Sequence, residues 1–126
     1  MKTIKTTLEQ EYILIEFVAD LTHDALEVFK VELADAKVLI QKKYEQDHRP
    51  VKILLDVSHF TGEYAPEALD ALVDFAKTNA PYVEKTASFG GSDKAKMAGE
   101  AAIALSGRDN ICMFDSKVDA VLWLVG

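Results

Sequence analysis

The run Val51-Lys52-Ile53-Leu54-Leu55-Asp56-Val57 constrains this chain more than any other stretch. Successive side chains of a strand point to opposite faces, so a strand that is apolar at neighbouring positions needs cover on both sides. Helices supply that cover in α/β sheets, where parallel strands are joined by helical crossovers. The run therefore predicts a central strand of such a sheet, with a helix on either side of it in the sequence.

Both helices are legible. Before the run, Leu26, Phe29, Leu33, Ala36, Ile40 and Tyr44 recur at spacings of three and four, which gathers them on one helical face. Thr22 is placed to cap this helix and Asp24 lies favourably in its first turn. The pattern ends near Gln46, and Asp47-His48-Arg49-Pro50 reads as a loop. After the run, Pro66 suits the first turn of a second helix, with Ala65, Leu69, Leu72, Val73 and Ala76 on its inner side and Pro81 beyond its end.

The rest of the chain repeats this alternation. Lys2 to Thr7 alternates weakly, and Tyr12 to Val18 is strongly β-prone, with a polar turn around Glu9-Gln10 between them. Glu84 to Phe89 gives a further strand, closed by Gly90-Gly91. A helix rich in small residues is expected from about Asp93 to Ser106, turning Met97, Ala98, Ala101, Ala102 and Leu105 inward, with Gly107 as its C-cap. Ile111 to Phe114 is a short strand. Ser116 and Asp119 then form a capping-box-like start to a last helix, packed through Val118, Val121, Leu122 and Val125. The order is ββαβαβαβα: an α/β fold with a mixed, mainly parallel sheet of about five strands and four helices, the opening pair antiparallel and the crossovers right-handed.

At 126 residues, without linkers, repeats or low-complexity segments, the expectation is one domain. Fourteen basic against 21 acidic residues give a net charge of −7, and no basic run exceeds Lys42-Lys43. A chain of that charge is a poor partner for nucleic acid. No apolar run approaches the length of a membrane span, and Met1–Lys5 lacks the following segments of a signal peptide. The single cysteine, Cys112, lies in the apolar run Ile111–Phe114 and reads as a small buried hydrophobe in a reducing, cytoplasmic setting.

Catalytic constellations are not evident: no nucleophile–base pair, paired carboxylates or cluster of metal ligands stands out, so neither an enzyme nor a cofactor or metal is expected. Asp56 ends the central strand, where open α/β sheets place ligands, and its ordinary role is to brace the following loop. His59 beside it makes a weak acid–base or metal signal; His23 and His48 read as solvated. Gly90-Gly91-Ser92 is a candidate anion site at a helix start, although Asp93 would repel a phosphate and a tight turn capped by Ser92 or Asp93 explains the residues as well. Trp123 and Phe114 read as a seal at the rim of the core. The stretch from Phe60 to Tyr64 holds two aromatics around Gly62, more than a turn needs, and is the preferred interaction loop together with Asp56 and His59.

Four pieces of the sequence resemble the SpoIIAA-like proteins, a branch of the STAS-like fold related to bacterial anti-sigma-factor antagonists. They are Ile13-Leu14-Ile15 leading past Leu21-Thr22 into the long helix, Val51–Val57 followed by Phe60-Thr61-Gly62, the strand ending at Phe89-Gly90-Gly91, and Met113-Phe114-Asp115 running on to Ala120-Val121-Leu122-Trp123-Leu124. The resemblance implies a small non-enzymatic regulatory or protein-interaction module, with homodimerisation compatible. STAS antagonists switch by phosphorylation of a serine in an Asp-Ser-Ser-Gly-like turn. Here the matching region reads Ser58-His59-Phe60-Thr61-Gly62-Glu63-Tyr64, so that turn is absent and Ser58 and Thr61 are the hydroxyls a phospho-switch would use. The SpoIIAA-like branch has also been likened to the CRAL-TRIO lipid-transfer fold. That likeness implies an alternative: a carrier or binder of a small apolar, lipid-like or anionic ligand.

Overall fold

In a computed structural model describing residues 1–126, five strands form one sheet in the order β1-β2-β3-β4-β5. Strands β1 (Ile4–Leu8) and β2 (Ile13–Phe17) pair antiparallel through the short polar turn. Strands β3 (Val51–Asp56), β4 (Val83–Phe89) and β5 (Ile111–Phe114) follow, each parallel to its predecessor. Helices α1 (Leu26–Asp47), α2 (Pro66–Asn79) and α3 (Asp93–Ser106) connect the parallel strands, and α4 (Lys117–Val125) closes the chain. The expected α/β order is the observed one.

Each parallel strand is added on the same side of the last, so right-handed crossovers bring α1, α2 and α3 to one face of the sheet. The core on that face joins Ile13, Ile15, Phe17 and Ile53 to Phe29, Leu33 and Ile40 of α1, Ala68 of α2 and Ala95 of α3. As the last helix, α4 has no strand to return to, and it takes the opposite face. There Leu54 and Ala87 meet Ala120 and Leu124, all four fully buried. Ile53 and Leu54, adjacent in β3, are therefore buried in different cores, as the apolar run requires.

The entrance to α1 differs from the expectation. Thr22 makes no side-chain cap; a short 3₁₀ turn, His23–Ala25, leads into the helix. At its far end His48 takes up a left-handed conformation with φ of 55°. One inward contact of α1 had no signal in the apolar pattern. The Glu32 carboxylate accepts from Thr3 N at 2.6 Å, Thr3 Oγ1 at 2.6 Å and Ile4 N at 3.1 Å, tying the start of β1 to the helix. Burial raises the Glu32 pKa, but these hydrogen bonds and the Lys2 charge outweigh it and hold the carboxyl below its usual range.

Several inward assignments on α3, β5 and α4 are corrected. Met97, Leu105, Val118 and Leu122 are exposed. The inner row of α3 is Ala95, Ala98, Gly99, Ala102 and Ser106, one step round from the predicted row. In α4 nearly every residue is apolar, so periodicity cannot pick the face; Ala120 and Leu124 do, and Val118 and Leu122 lie on the other side. Cys112 is exposed, because β5 is an edge strand and its outer face extends past the cover of α4.

Ile40 is completely buried beneath α1. Ile40→Ala is expected to lower the unfolding free energy by about 2–5 kcal/mol in urea titration, the usual result of emptying such a site. A depressed carboxyl pKa stabilises the fold above the unfolded value, about 4.3, and that contribution disappears as pH falls through the folded value. Stability measured from pH 6 downward should therefore fall more steeply in the wild type than in Glu32→Gln, the difference opening below about 4.3.

Candidate functional site

Three loops meet at the carboxyl ends of the parallel strands, and hydrogen bonds join them. Asp56 closes a turn, its Oδ1 accepting from Ser58 N at 3.0 Å and Ser58 Oγ at 2.5 Å. Asp20, from the loop after β2, does the same across a long sequence separation, accepting from Thr61 N at 2.9 Å and Thr61 Oγ1 at 2.7 Å. Beside it Leu21 N donates to Glu63 O at 3.0 Å, and Ala65 N donates to Leu21 O at 2.8 Å. From the loop after β4, Ser92 Oγ donates to Thr61 O at 3.0 Å and accepts from Ala95 N at 3.2 Å as the cap of α3. Lys94 and Glu63 pair across the same seam.

Glycines make this close approach feasible. A Cβ on Gly62, at φ of +103°, would lie 2.9 Å from Ala95 N; one on Gly90, at φ of +84°, would lie 2.8 Å from Ser58 Cβ. Gly90 thus sits against Ser58 and Gly91 against Val57, while Ser92 spends its hydroxyl on Thr61 O and the α3 cap. The hydroxyls of Ser58 and Thr61 are exposed but already donate to carboxylates. His59 is exposed and takes part in none of these bonds, and no three His, Cys, Asp or Glu side chains converge as metal ligands do. The two aromatics of the loop part company. Phe60 turns into the core, its ring 6.2 Å from that of Phe17, and leaves the surface to Tyr64.

Tyr64 also lines a cavity. Between the sheet and helices α2 and α3 lies a space of about 120 Å³ walled by Leu55, Leu72, Phe75, Ala98, Ile103 and Met113. Its α3 wall is a row of small residues, Ala95, Ala98 and Ala102; at Gly99 the helix comes close to β5, where a Cβ would lie 3.2 Å from Met113 Cε. On the opposite face α4 sits close to β3 and β4, and Ala120 fills the contact. The same kind of residue closes one interface and leaves the other hollow.

At the amino-terminal side of the parallel strands the cavity is bordered by Asn79, Thr86 and Arg108, although the surface facing the space is almost wholly apolar. Arg108 follows the C-cap of α3 and is half-buried. Its guanidinium donates to Asn110 Oδ1 at 3.0 Å, Ala76 O at 3.4 Å and Thr86 Oγ1 at 3.5 Å, all neutral acceptors and two of them distant. Burial draws its pKa down, and only the neighbouring Asp109 charge opposes that. Asn79, 1% exposed in the last turn of α2, donates through Nδ2 to Phe75 O at 2.8 Å, while its Oδ1 has no partner. A buried oxygen left this way is disfavoured by about 1–3 kcal/mol.

Asn79, Thr86 and Arg108 were not singled out by the sequence. Asn79 and Arg108 stand at helix ends, where polar residues are commonplace. The one available signal was that Arg108 is one of two arginines and lies between a helix cap and an apolar strand.

A family profile described as SpoIIAA-like matches residues 12–125. Among solved structures the chain is similar to the crystal structure of an uncharacterized protein from the DUF3478 family with a SpoIIAA-like fold, from Shewanella loihica PV-4. That match has a TM-score of 0.64 and 18% identity, and covers 96% of this chain and 91% of that one. It is also similar to the NMR structure of the protein TM1081, with a TM-score of 0.60 and 17% identity, covering 94% of this chain and 86% of that one. Likeness at these identities is likeness of fold. No curated protein matches the chain.

The loop seam makes a graded prediction. Gly62→Ala combines a left-handed backbone with a blocked Cβ, whereas Gly107→Ala has φ of +70° and open space around it. Chemical denaturation should show a loss of about 1 kcal/mol for Gly107→Ala and at least twice that for Gly62→Ala.

Proposed function

The chain belongs to the SpoIIAA-like family, and on that premise we propose that it is a non-enzymatic regulatory module whose contact with a protein partner responds to a small apolar ligand held beneath α2 and α3. The observation that carries this reading is the position of Tyr64. It lines the cavity and is also exposed on the Ser58–Tyr64 loop, so one side chain touches both the ligand space and the partner surface. Asp56, His59 and Tyr64 form the outer face of that loop, and Phe60 anchors it from below.

Phosphorylation is the less favoured switch. A phosphate on Ser58 would be set against Asp56, and one on Thr61 against Asp20, in a chain already at −7. Occupancy of the cavity needs no such charge. A plain carrier role rests on the same cavity and differs in needing no partner at the loop.

Native mass spectrometry on the protein purified from cells tests the ligand reading. The expected result is a small adduct that organic extraction removes, or its restoration on incubation with 1-hexanol. Ala102→Phe, directed at the cavity, should abolish it while circular dichroism remains that of a folded chain. A clean mass before and after incubation contradicts the reading. If the adduct is present but Tyr64→Ala changes neither its retention nor the sedimentation coefficient measured by analytical ultracentrifugation, the carrier reading replaces the regulatory one.

A further inference from the structure

Helix α4 is apolar on its outer side as well as its inner one, and nothing in the chain covers the outer side. We propose that a second copy of this chain docks there, α4 against α4 about a two-fold axis, in a contact that does not depend on the cavity beneath α2 and α3.

Only Lys117 and Asp119 are polar among the nine residues of α4. Ala120 and Leu124 seat one side of the helix on Leu54 and Ala87. On the other side Val118 and Leu122 are 67% and 63% exposed. A surface helix ordinarily turns charged residues outward, and one that is apolar all round is ordinarily buried. Val118, Leu122 and Val125 follow one another at steps of four and three, the spacing by which two helices share an apolar seam.

The sheet beside this stripe is also open. Helix α4 packs on β3, β4 and β5 and leaves most of β1 and β2 bare on its side of the sheet. Leu14 of β2 belongs to that strip, since it pairs in register with Leu54, and Thr7 of β1 pairs in turn with Leu14. A stable interface buries about 800 Å² per partner, more than two side chains of a short helix supply. A partner helix lying alongside α4 above β2 takes in the strip as well, and two-fold symmetry makes each copy cover the other's.

Charge selects the occupant. Each chain carries −7, so two copies repel one another over most of their surface. This face is the exception. Strand alternation sets Lys5, Lys52 and Lys85 on it together with Glu16 and Asp56. With Lys117 and Asp119 of α4 the face holds four cations against three anions. Two copies can meet here without net repulsion, whereas cations interleaved with carboxylates offer no basic cluster to an anionic membrane.

Sedimentation equilibrium of the full chain from about 5 to about 500 µM tests the contact. The expected result is a reversible monomer–dimer equilibrium that tightens between about 50 and about 500 mM NaCl, because salt screens the repulsion between two acidic chains. Leu122→Glu should weaken the dimer at least about tenfold by setting two carboxylates against an apolar seam, and Leu122→Lys should do the same. Mixing these two variants should restore association, because the axis brings position 122 of one copy to that of the other. Leu105→Glu, an equally exposed change on α3, should leave the dimer intact. A wild type that stays monomeric throughout overturns the second copy as occupant and leaves the face to a different protein. Association that survives Leu122→Glu, weakens with salt or is not restored by mixing overturns the α4 contact.

Discussion

An apolar strand paired along both edges has no face it can turn to water, and β3 meets that demand in two unlike ways. On one side Leu54 is sealed by Ala120 and Leu124, with Ala87 of the next strand in the same cluster. On the other, Ile53 lies under the large side chains of α1, but further along the sheet α3 covers the strands mostly with small residues. Small side chains close an interface when the helix can descend onto the sheet. The turns binding α2 and α3 to their loops hold these helices in place, and the deficit becomes a cavity instead. The distinctive chemistry of the molecule grows from that asymmetry.

The loops at the carboxyl ends of the strands do the holding. Asp20 and Asp56 each satisfy a backbone N–H and a hydroxyl, Ser92 bridges the cap of α3 to Thr61, and Gly62 and Gly90 let the loops approach without side chains between them. These bonds fix the start of α2 and of α3, and with them the mouth of the cavity near Tyr64. At the other end, Arg108 and Asn79 border an apolar wall without partners adequate to their burial. Groups in that condition are costly to a fold.

How far the sequence could be read depended on whether one residue or several carried the signal. The apolar run of β3 and the i, i+3, i+4 row of α1 are collective patterns, and both elements lie where those patterns place them. In α3 and α4 small and apolar residues surround the helix, so the pattern is flat and Met97 and Leu122 were assigned to the wrong side. Phe60 and Tyr64, four residues apart in a loop, looked alike in sequence; one fills the core beside Phe17 and the other faces out. The cavity was not legible at all, because empty space is set by how far helices stand from a sheet. For the same reason nothing in the sequence singles out Asn79, Arg108 or Asp20.

The central claim is that α2 and α3 leave an apolar pocket against the sheet rather than a filled core, and xenon tests it most directly. Xenon enters dry apolar cavities and shifts the resonances of the methyl groups around it. Under xenon pressure, methyl NMR spectra should show saturable shifts confined to Leu55, Leu72, Ile103 and Met113, with Leu54 and Leu124 on the closed face unmoved. Equal, non-saturating shifts on the two faces, or none at any of these methyls, would contradict the account.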